Sequence, residues 1–119
     1  MFLKLEPYRQ DKKAYHAATF SDYVLLKSRK GEPVLLPAGA KIIIGVKSFS
    51  DGNYVLHKTL TSENEDNGIY PYCFTPEEMN IPPGRYFYDI SVQTLDGHLY
   101  KVVPRSNFDV LESYTEKEQ

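Results

Sequence analysis

The residues best suited to chemistry in this chain are its three histidines and its single cysteine. His16, His57 and His98 are far apart, and no two of them have the spacing of metal ligands on one strand or helix. Cys73 has no second cysteine to pair with, and its neighbours lack the glycine pattern expected beside a nucleophile. We therefore predict no catalytic residue, no metal ligand and no cofactor.

One acidic segment has part of the pattern of a calcium loop. Glu63, Glu65 and Asn67 place oxygen ligands at alternate positions before Gly68. The pattern then fails, because Phe74 stands where a bidentate glutamate is needed. The flanking residues also have the pattern of strands rather than helices. A plain solvated hairpin loop is the prediction.

The other charged clusters have structural explanations. Glu77 and Glu78 follow Thr75 and Pro76, which begin a capped helical turn where the helix dipole favours carboxylates. The basic residues within 27–30 occupy a hairpin tip without alternating aromatic residues. The whole chain has 14 Lys and Arg against 16 Asp and Glu, a net charge of −2, so we expect no nucleic-acid partner.

Tyrosine is the unusual feature of the composition. The chain has ten Tyr, six Phe and no Trp. Several tyrosines must line the core with their hydroxyls at its rim, but ten exceed what a small core needs. We expect the surplus to form an interface with a partner protein or a second copy, and a sugar-stacking surface is the alternative. The candidate interface residues are Tyr23, Tyr54, Tyr70, Tyr72 and Phe87.

Alternation of apolar and polar residues predicts the strands that carry these side chains. In residues 85–95 nearly every second side chain is apolar or amphipathic, which is typical of a strand with one buried face. A three-residue glycine loop follows. This loop pairs Val92 with Tyr100 and Ile90 with Val102, so that apolar residues oppose each other.

Two further glycine turns predict two more hairpins. Residues 41–47 alternate in the same way and precede a loop at residues 50–52. A turn at residues 29–31 joins a strand at 20–28 to a short one at 34–36. The predicted pairs are Val46 with Leu56, Ile42 with Leu60, Ser48 with Tyr54, and Leu26 with Val34.

The remaining segments complete an all-β prediction. Residues 69–74 form a strand that Pro71 confines to an edge or a bulge, and Pro104 interrupts the chain before a last strand at 107–111. The predicted fold is a two-sheet immunoglobulin-like β-sandwich of about 7–9 short antiparallel strands, with one short helical turn from Thr75 to Met79. A barrel is the alternative. We expect one domain over residues 1–112, in which 1–19 are the least patterned, and a frayed tail at 113–119.

Several segments follow one another in a distinctive order. Residues 31–36 and 39–44 contain a polar-glycine turn, a short hydrophobic strand and a Gly-Ala step into an amphipathic strand. The second half contains Phe-Thr-Pro-Glu-Glu at 74–78, Ile-Pro-Pro-Gly-Arg-Tyr-Phe-Tyr-Asp-Ile at 81–90, and Leu-Asp-Gly at 95–97.

This order resembles an immunoglobulin-like domain of phages and prophages. The chain is similar, over about residues 23–111, to the domain found in baseplate upper proteins and in small tail or virion-associated proteins. The resemblance implies a β-sandwich used for assembly, without an active site. Its partners would be other virion or tail proteins or a second copy of the chain.

A non-enzymatic structural or assembly module that acts through protein–protein contacts is therefore the expected function. A carbohydrate-binding or adhesive domain with exposed Tyr and Phe is the alternative. No run of 18 apolar residues occurs, and the first seven residues are too short and too charged for a signal-peptide core. The expected location is a virion or the cytoplasm of a bacterial host, with no membrane partner.

Overall fold

The computed structural model describes residues 5–48, 52–61 and 68–115. Within these ranges the backbone is all-β, as predicted, and contains no helix. The strands are β1 (Lys12–Tyr15), β2 (Phe20–Leu25), β3 (Lys41–Ser48), β4 (Tyr54–Thr61), β5 (Ile69–Phe74), β6 (Gly84–Gln93) and β7 (Leu99–Leu111).

The strands form two sheets that bury their apolar faces in one core. The large sheet has five strands in the order β1-β7-β6-β3-β4, and the small sheet pairs β2 with β5. Each strand has alternate side chains on opposite faces, so the alternation in the sequence becomes one buried and one outer face. The core includes Val24 from β2, Phe74 from β5, Ile44 from β3, Ile90 from β6 and Phe108 from β7.

The hairpin between β6 and β7 confirms the three-residue loop. The amide of Thr94 donates a hydrogen bond to the carbonyl of His98 at 2.9 Å, and Gly97 has a φ of 91°. Val92 lies opposite Tyr100 as predicted. Ile90, however, lies opposite Val103 rather than Val102, although both valines are buried.

Two bulges in β7 explain this shift and correct the prediction at Pro104. Val102 is an extra residue on one side of the Ile90–Val103 pair, while Pro104 and Arg105 together oppose Asp89 on the other. A bulge tolerates proline because its missing N–H needs no partner there. The strand therefore continues through Pro104 from Leu99 to Leu111 instead of breaking. Two extra residues together leave the alternation of side chains unchanged, so the even-numbered side chains point inward at both ends of β7.

A bulge in β4 also changes the predicted pairing with β3. Val46 lies opposite Leu56 as predicted, and Ile42 lies opposite Leu60. Tyr54 is opposite Lys47 rather than Ser48, because Val55 is an extra residue. This one-residue shift moves Tyr54 from the inner to the outer face of the sheet. Residues 50 and 51 of the predicted loop lie outside the described residues.

The first strand corrects the expectation of an entirely antiparallel fold. β1 pairs in parallel with the end of β7, with Lys12 opposite Phe108 and Ala14 opposite Val110. In residues 12–15 apolar and polar side chains do not alternate clearly enough to predict a strand. They form an edge strand because the end of β7 offers them unpaired backbone groups, and β1 then completes that side of the sheet.

The turns that join the strands follow local chemistry. The amide of Met79 donates to the carbonyl of Thr75 at 2.9 Å, which closes the single turn predicted there without continuing into a helix. Thr75 and Glu78 form the reciprocal bonds of a capping box, at 3.0 and 3.1 Å. In the first hairpin, the amide of Val34 donates to the carbonyl of Leu26 at 3.0 Å, although 34–36 is not a strand.

Candidate functional site

The structure separates the five candidate interface residues into buried and exposed groups. Tyr70 and Tyr72 are only 4% and 6% exposed, because β5 turns its even-numbered side chains into the core. The hydroxyl of Tyr70 accepts a hydrogen bond from the amide of Leu36 at 3.0 Å, within the protein. The candidate interface is corrected accordingly, since these two side chains present almost no surface to a partner.

The other three candidates lie on outer faces, but only two of them come together. Tyr54 and Phe87 share the outer face of the large sheet, whereas Tyr23 lies on the outer face of the small sheet opposite Pro71. Tyr23 and Tyr54 are about equally exposed, at 52% and 54%. The side chains that meet on the large sheet therefore define the candidate site.

A groove of about 650 Å³ runs over this outer face. Its floor is low because the central strands carry small residues there, Gly45 on β3 and Ser91 on β6. Larger side chains rise on both sides, with Tyr54 on β4 and Leu99 and Lys101 on β7. We name this feature the outer groove.

Tyr54 reaches across the floor of the outer groove. Its ring covers Gly45, and a Cβ atom at that position would collide with the ring. The same ring lies 4.8 Å from the imidazole of His57, centroid to centroid. A glycine in the middle of β3 therefore allows an aromatic side chain to lie over the backbone.

Two cations rest on the aromatic rings of the outer groove. The Nζ atom of Lys47 is 4.7 Å from the centroid of the Tyr54 ring, and Cζ of Arg105 is 4.1 Å from that of Phe87. Both distances are typical of cation–π contacts, which Arg makes more often than Lys. Arg105 lies on this face at the bulge that it forms with Pro104.

A salt bridge crosses the middle of the outer groove. The Nζ atom of Lys101 on β7 is 2.7 Å from Oδ2 of Asp89 on β6, and both side chains are nearly half exposed. Such an exposed pair contributes little to stability, but it neutralises one cation and one carboxylate locally. Polar groups for hydrogen bonding are also present at Ser91 and Gln93.

Sequence reasoning missed the residues that surround the two aromatic side chains. Gly45 was the available signal, because a glycine inside a strand often marks a close approach of another group. Lys47 and Lys101 occupy odd-numbered positions, which the alternation assigns to the outer face. Arg105 is also odd-numbered, but the predicted break of the strand at Pro104 left it outside any strand.

The histidines and the cysteine lie apart from the outer groove or take a minor part in it. His16 hydrogen-bonds through Nδ1 to the carbonyl of Ile81 at 2.6 Å, and Nδ1 of His98 is 3.0 Å from Asp96. Cys73 is exposed on β5. Within the described residues no three His, Cys, Asp or Glu side chains form a possible metal site. The calcium candidate at residues 63–67 lies outside the described residues.

Local hydrogen bonds, rather than burial, perturb the carboxylate beside His98. The side chains of Thr94 and His98 hold the pKa of Asp96 at about 2, with the Thr94 hydroxyl as the larger cause. All three residues belong to the exposed loop between β6 and β7. This arrangement stabilises the loop and does not form part of the outer groove.

A buried polar cluster joins the two sheets on the core side. Lys12 on β1 forms an ion pair with Asp22 on β2, and its Nζ atom is 3.0 Å from Oε1 of Gln10. Burial raises the pKa of the nearby Tyr72 and Tyr88 hydroxyls, and the charge of Asp22 raises it further. The cluster ties β1 to the small sheet.

Comparisons with known proteins leave the candidate site to be interpreted from its own geometry. No protein-family model matches the chain, and no curated protein matches it either. Among the described residues there is no helix that could cross a membrane.

Proposed function

We propose that this protein is a non-enzymatic binding module that acts through protein–protein contacts at the outer groove. The observation that carries the proposal is the joining of Tyr54 and Phe87 with Lys47 and Arg105 on one exposed sheet face. Tyrosine, phenylalanine and arginine are enriched at protein interfaces, and tyrosine and arginine are also enriched among the few residues that contribute most of the binding energy. The non-enzymatic part of the proposal rests on the sequence, in which no nucleophile, base or metal set can be assembled.

The proposed fold is an immunoglobulin-like β-sandwich, and its strand order supports this assignment. In variable-type domains one sheet contains strands G, F, C and C′, and the other contains B and E. The order β7-β6-β3-β4 in the large sheet and β2-β5 in the small sheet follows that arrangement. The chain has no counterpart of strand D among its described residues.

Tyr86 provides a second, independent support for the immunoglobulin-like assignment. It lies near the start of β6, the counterpart of strand F, and its hydroxyl donates to the carbonyl of Pro82 at 2.6 Å. A tyrosine at this corner that bonds back to the backbone a few residues upstream is a hallmark of the immunoglobulin sandwich.

The proposed setting is a phage or prophage tail or baseplate, with other virion proteins or a second copy as partners. The support is the sequence resemblance described above, which covers about residues 23–111. The identity of the adjacent genes tests this part directly. A neighbourhood without tail or lysis genes would contradict the virion setting but not the binding function.

Light scattering after size-exclusion chromatography tests the binding function. The full chain is measured alone and mixed with the products of neighbouring genes. We expect an oligomer or a complex that the Tyr54→Ala substitution weakens, since Tyr54 covers the groove floor. Tyr23→Ala is the matched control, because Tyr23 is equally exposed on the other sheet. A strict monomer that binds none of these proteins would contradict the proposal.

A carbohydrate ligand is the second candidate function. The half-exposed ring of Tyr54 lies beside Ser91 and Gln93, and an aromatic ring with nearby hydrogen-bonding groups can bind a sugar. A glycan array discriminates between the two functions. Glycan binding that is lost in Tyr54→Ala would favour this candidate, whereas an assembly protein should bind no glycan.

A further inference from the structure

The segment from residue 5 to residue 15 crosses from one sheet to the other, and we name it the strap. The amide of Glu6 donates to the carbonyl of Lys27 at 2.9 Å, just beyond the end of β2. The amide of Tyr8 donates to the carbonyl of Val102 at 3.0 Å on β7. The last four residues of the strap are β1, which pairs in parallel with the end of β7. The strap is therefore bound along its length by elements that lie later in the chain.

Polar contacts, more than apolar burial, hold the strap in place. Lys12 forms its ion pair with Asp22 on β2. The amide of Asn107 on β7 donates to Oδ1 of Asp11 at 2.9 Å. Ala14 is the only apolar side chain of the strap that is fully buried. Detachment of the strap therefore exposes little apolar surface, and its polar groups become hydrated when they lose their partners.

The hinge that joins the strap to β2, residues 16–19, is short and strained. Within the part of the chain that the structure describes, Ala17 is the only non-glycine residue with a positive φ, at 55°. A residue with a Cβ atom is disfavoured in this left-handed region. The amide of Ala17 donates to the carbonyl of Met79 at 2.9 Å, and that of Ala18 makes a longer bond of 3.3 Å. An extended hinge loses these two bonds and relieves the strain at Ala17.

A second copy of the chain offers the strap the same binding partners as its own copy. Four extended hinge residues span about 13–14 Å, so an open hinge carries the strap away from its own β7. Another copy then presents the same backbone edge of β7, the same Asn107 amide and the same Asp22 carboxylate. The contacts of the strap that are broken in one copy re-form in the other, which is why exchange of an identical element is a low-cost route to a dimer.

We propose that two copies of this chain exchange their straps, so that residues 5–15 of each copy bind β2 and β7 of the other. The strained hinge at Ala17 favours this exchange, because its extension removes the left-handed conformation in both copies. The inference goes beyond the proposed function, since it assigns self-association to the strap and its hinge rather than to the outer groove.

Disulfide cross-linking between two different variants tests where the strap lies. Tyr15 on β1 is the Cα partner of Leu111 on β7, and both side chains are exposed. Full chains with Tyr15→Cys and with Leu111→Cys, each also carrying Cys73→Ser, are mixed, unfolded in urea and refolded with oxidised glutathione. The total concentration is about 1 mM, near the effective concentration that a short linker gives its own ends. We expect a covalent heterodimer of the two variants.

Tyr23→Cys replaces Leu111→Cys in the matched control mixture. Tyr23 is about as exposed as Tyr15, but it lies on the outer face of the small sheet opposite Pro71. The exchanged strap does not bring Tyr15 to this face, so the control mixture should give at most about a tenth of the heterodimer.

Substitutions at Ala17 test the hinge by light scattering after size-exclusion chromatography. Ala17→Gly adopts a positive φ without strain and should raise the dissociation constant of the dimer about tenfold. Ala17→Val is more strained in the closed hinge and should lower this constant about tenfold. Gly97→Val is the control, because it strains a left-handed residue in a loop that does not hold the strap, and it should leave the constant within about twofold.

Two results would overturn the inference. One is equal heterodimer yield in the cross-linking mixture and its control, and the other is the same dissociation constant for Ala17→Gly and the wild type. Neither depends on Ala17→Val, so they decide the question even if that variant does not fold. Failure of the inference is distinguishable from failure of the proposed function. If Tyr54→Ala weakens assembly but no strap cross-link forms, the groove function stands and strap exchange does not.

Discussion

Removing the carboxylate of Asp22 should destabilise this fold more than removing the ammonium of Lys12, although the two form one ion pair. The Lys12 side chain is only 5% exposed, whereas that of Asp22 is 24% exposed. The pair joins β1 of the large sheet to β2 of the small sheet. Whichever partner remains must be accommodated without its counter-charge, and the more buried charge is the more costly to leave alone.

The structure gives the size of this difference. In Asp22→Ala the contacts left to the ammonium among the described residues are Oε1 of Gln10 at 3.0 Å and the ring of Tyr88 at 5.7 Å, so we expect a loss of about 3–4 kcal/mol. In Lys12→Met the methionine fills the same space, and the remaining carboxylate is partly hydrated. We expect a loss of about 1–2 kcal/mol there.

The double variant isolates the interaction between the two residues. Two apolar side chains can replace a buried ion pair at little cost, so Lys12→Met with Asp22→Ala should lose only about 2 kcal/mol. The coupling energy is then about 2–4 kcal/mol, at or slightly above the upper end of the range for contacting residues. Lys13→Met is the matched control, because Lys13 is exposed on the other face of β1, and it should cost at most about 0.5 kcal/mol.

Urea denaturation followed by tyrosine fluorescence measures these free energies of unfolding. The chain has ten Tyr and no Trp, so tyrosine reports on the whole core. Equal slopes for all variants would show that the unfolded state is not altered. A larger loss for Lys12→Met than for Asp22→Ala, or a coupling energy under about 0.5 kcal/mol, would refute the reasoning.

Three further predictions concern the turns. Gly97→Val should lower the free energy of unfolding by about 1–3 kcal/mol in urea denaturation, because a β-branched residue is strained at the φ of 91°. An added Cβ atom would meet no other atom, so the backbone strain is the cause of this loss. Gly97→Asn should cost less, and equal costs for the two variants would contradict a backbone cause. NMR titration should find the pKa of Asp96 near 2, and Thr94→Val should raise it by removing the hydroxyl bond. Because folding lowers the pKa of Asp96, its contribution to the stability of the fold is present above the unfolded pKa of about 4 and is lost as the pH falls towards 2. An unchanged pKa of Asp96 in Thr94→Val would contradict the hydroxyl bond as the cause. Thr75→Ala should cost about 1 kcal/mol through loss of the capping bond to Glu78, and Thr75→Ser should restore it.

The pairing of β6 with β7 shows how far local sequence determines register. The alternation of apolar residues and the glycine at position 97 were sufficient to predict the loop and the Val92–Tyr100 pair. They could not predict that Ile90 meets Val103. A bulge leaves both neighbouring segments with normal alternation, so the pattern of either segment contains no trace of it.

The same limit applies to the candidate site. Tyr54 and Phe87 were named as candidate interface residues, but so were Tyr70 and Tyr72, which are buried. A tyrosine on the buried face of a strand and one on the outer face have the same local signal. The sequence reports which side chains share a face, while the packing of β5 on the core decides which face is covered.

The amino-acid sequence by itself determined the all-β class, the positions of most strands and the tight turns, because alternation and turn chemistry act between near neighbours. Tertiary structure alone decided the parallel pairing of β1, the bulge that turns Tyr54 outward and the continuation of β7 through Pro104, which includes Arg105 in the strand. Each of these depends on how strands distant in sequence align. The free energy of that alignment comes from burying many side chains at once, and no single segment contains it.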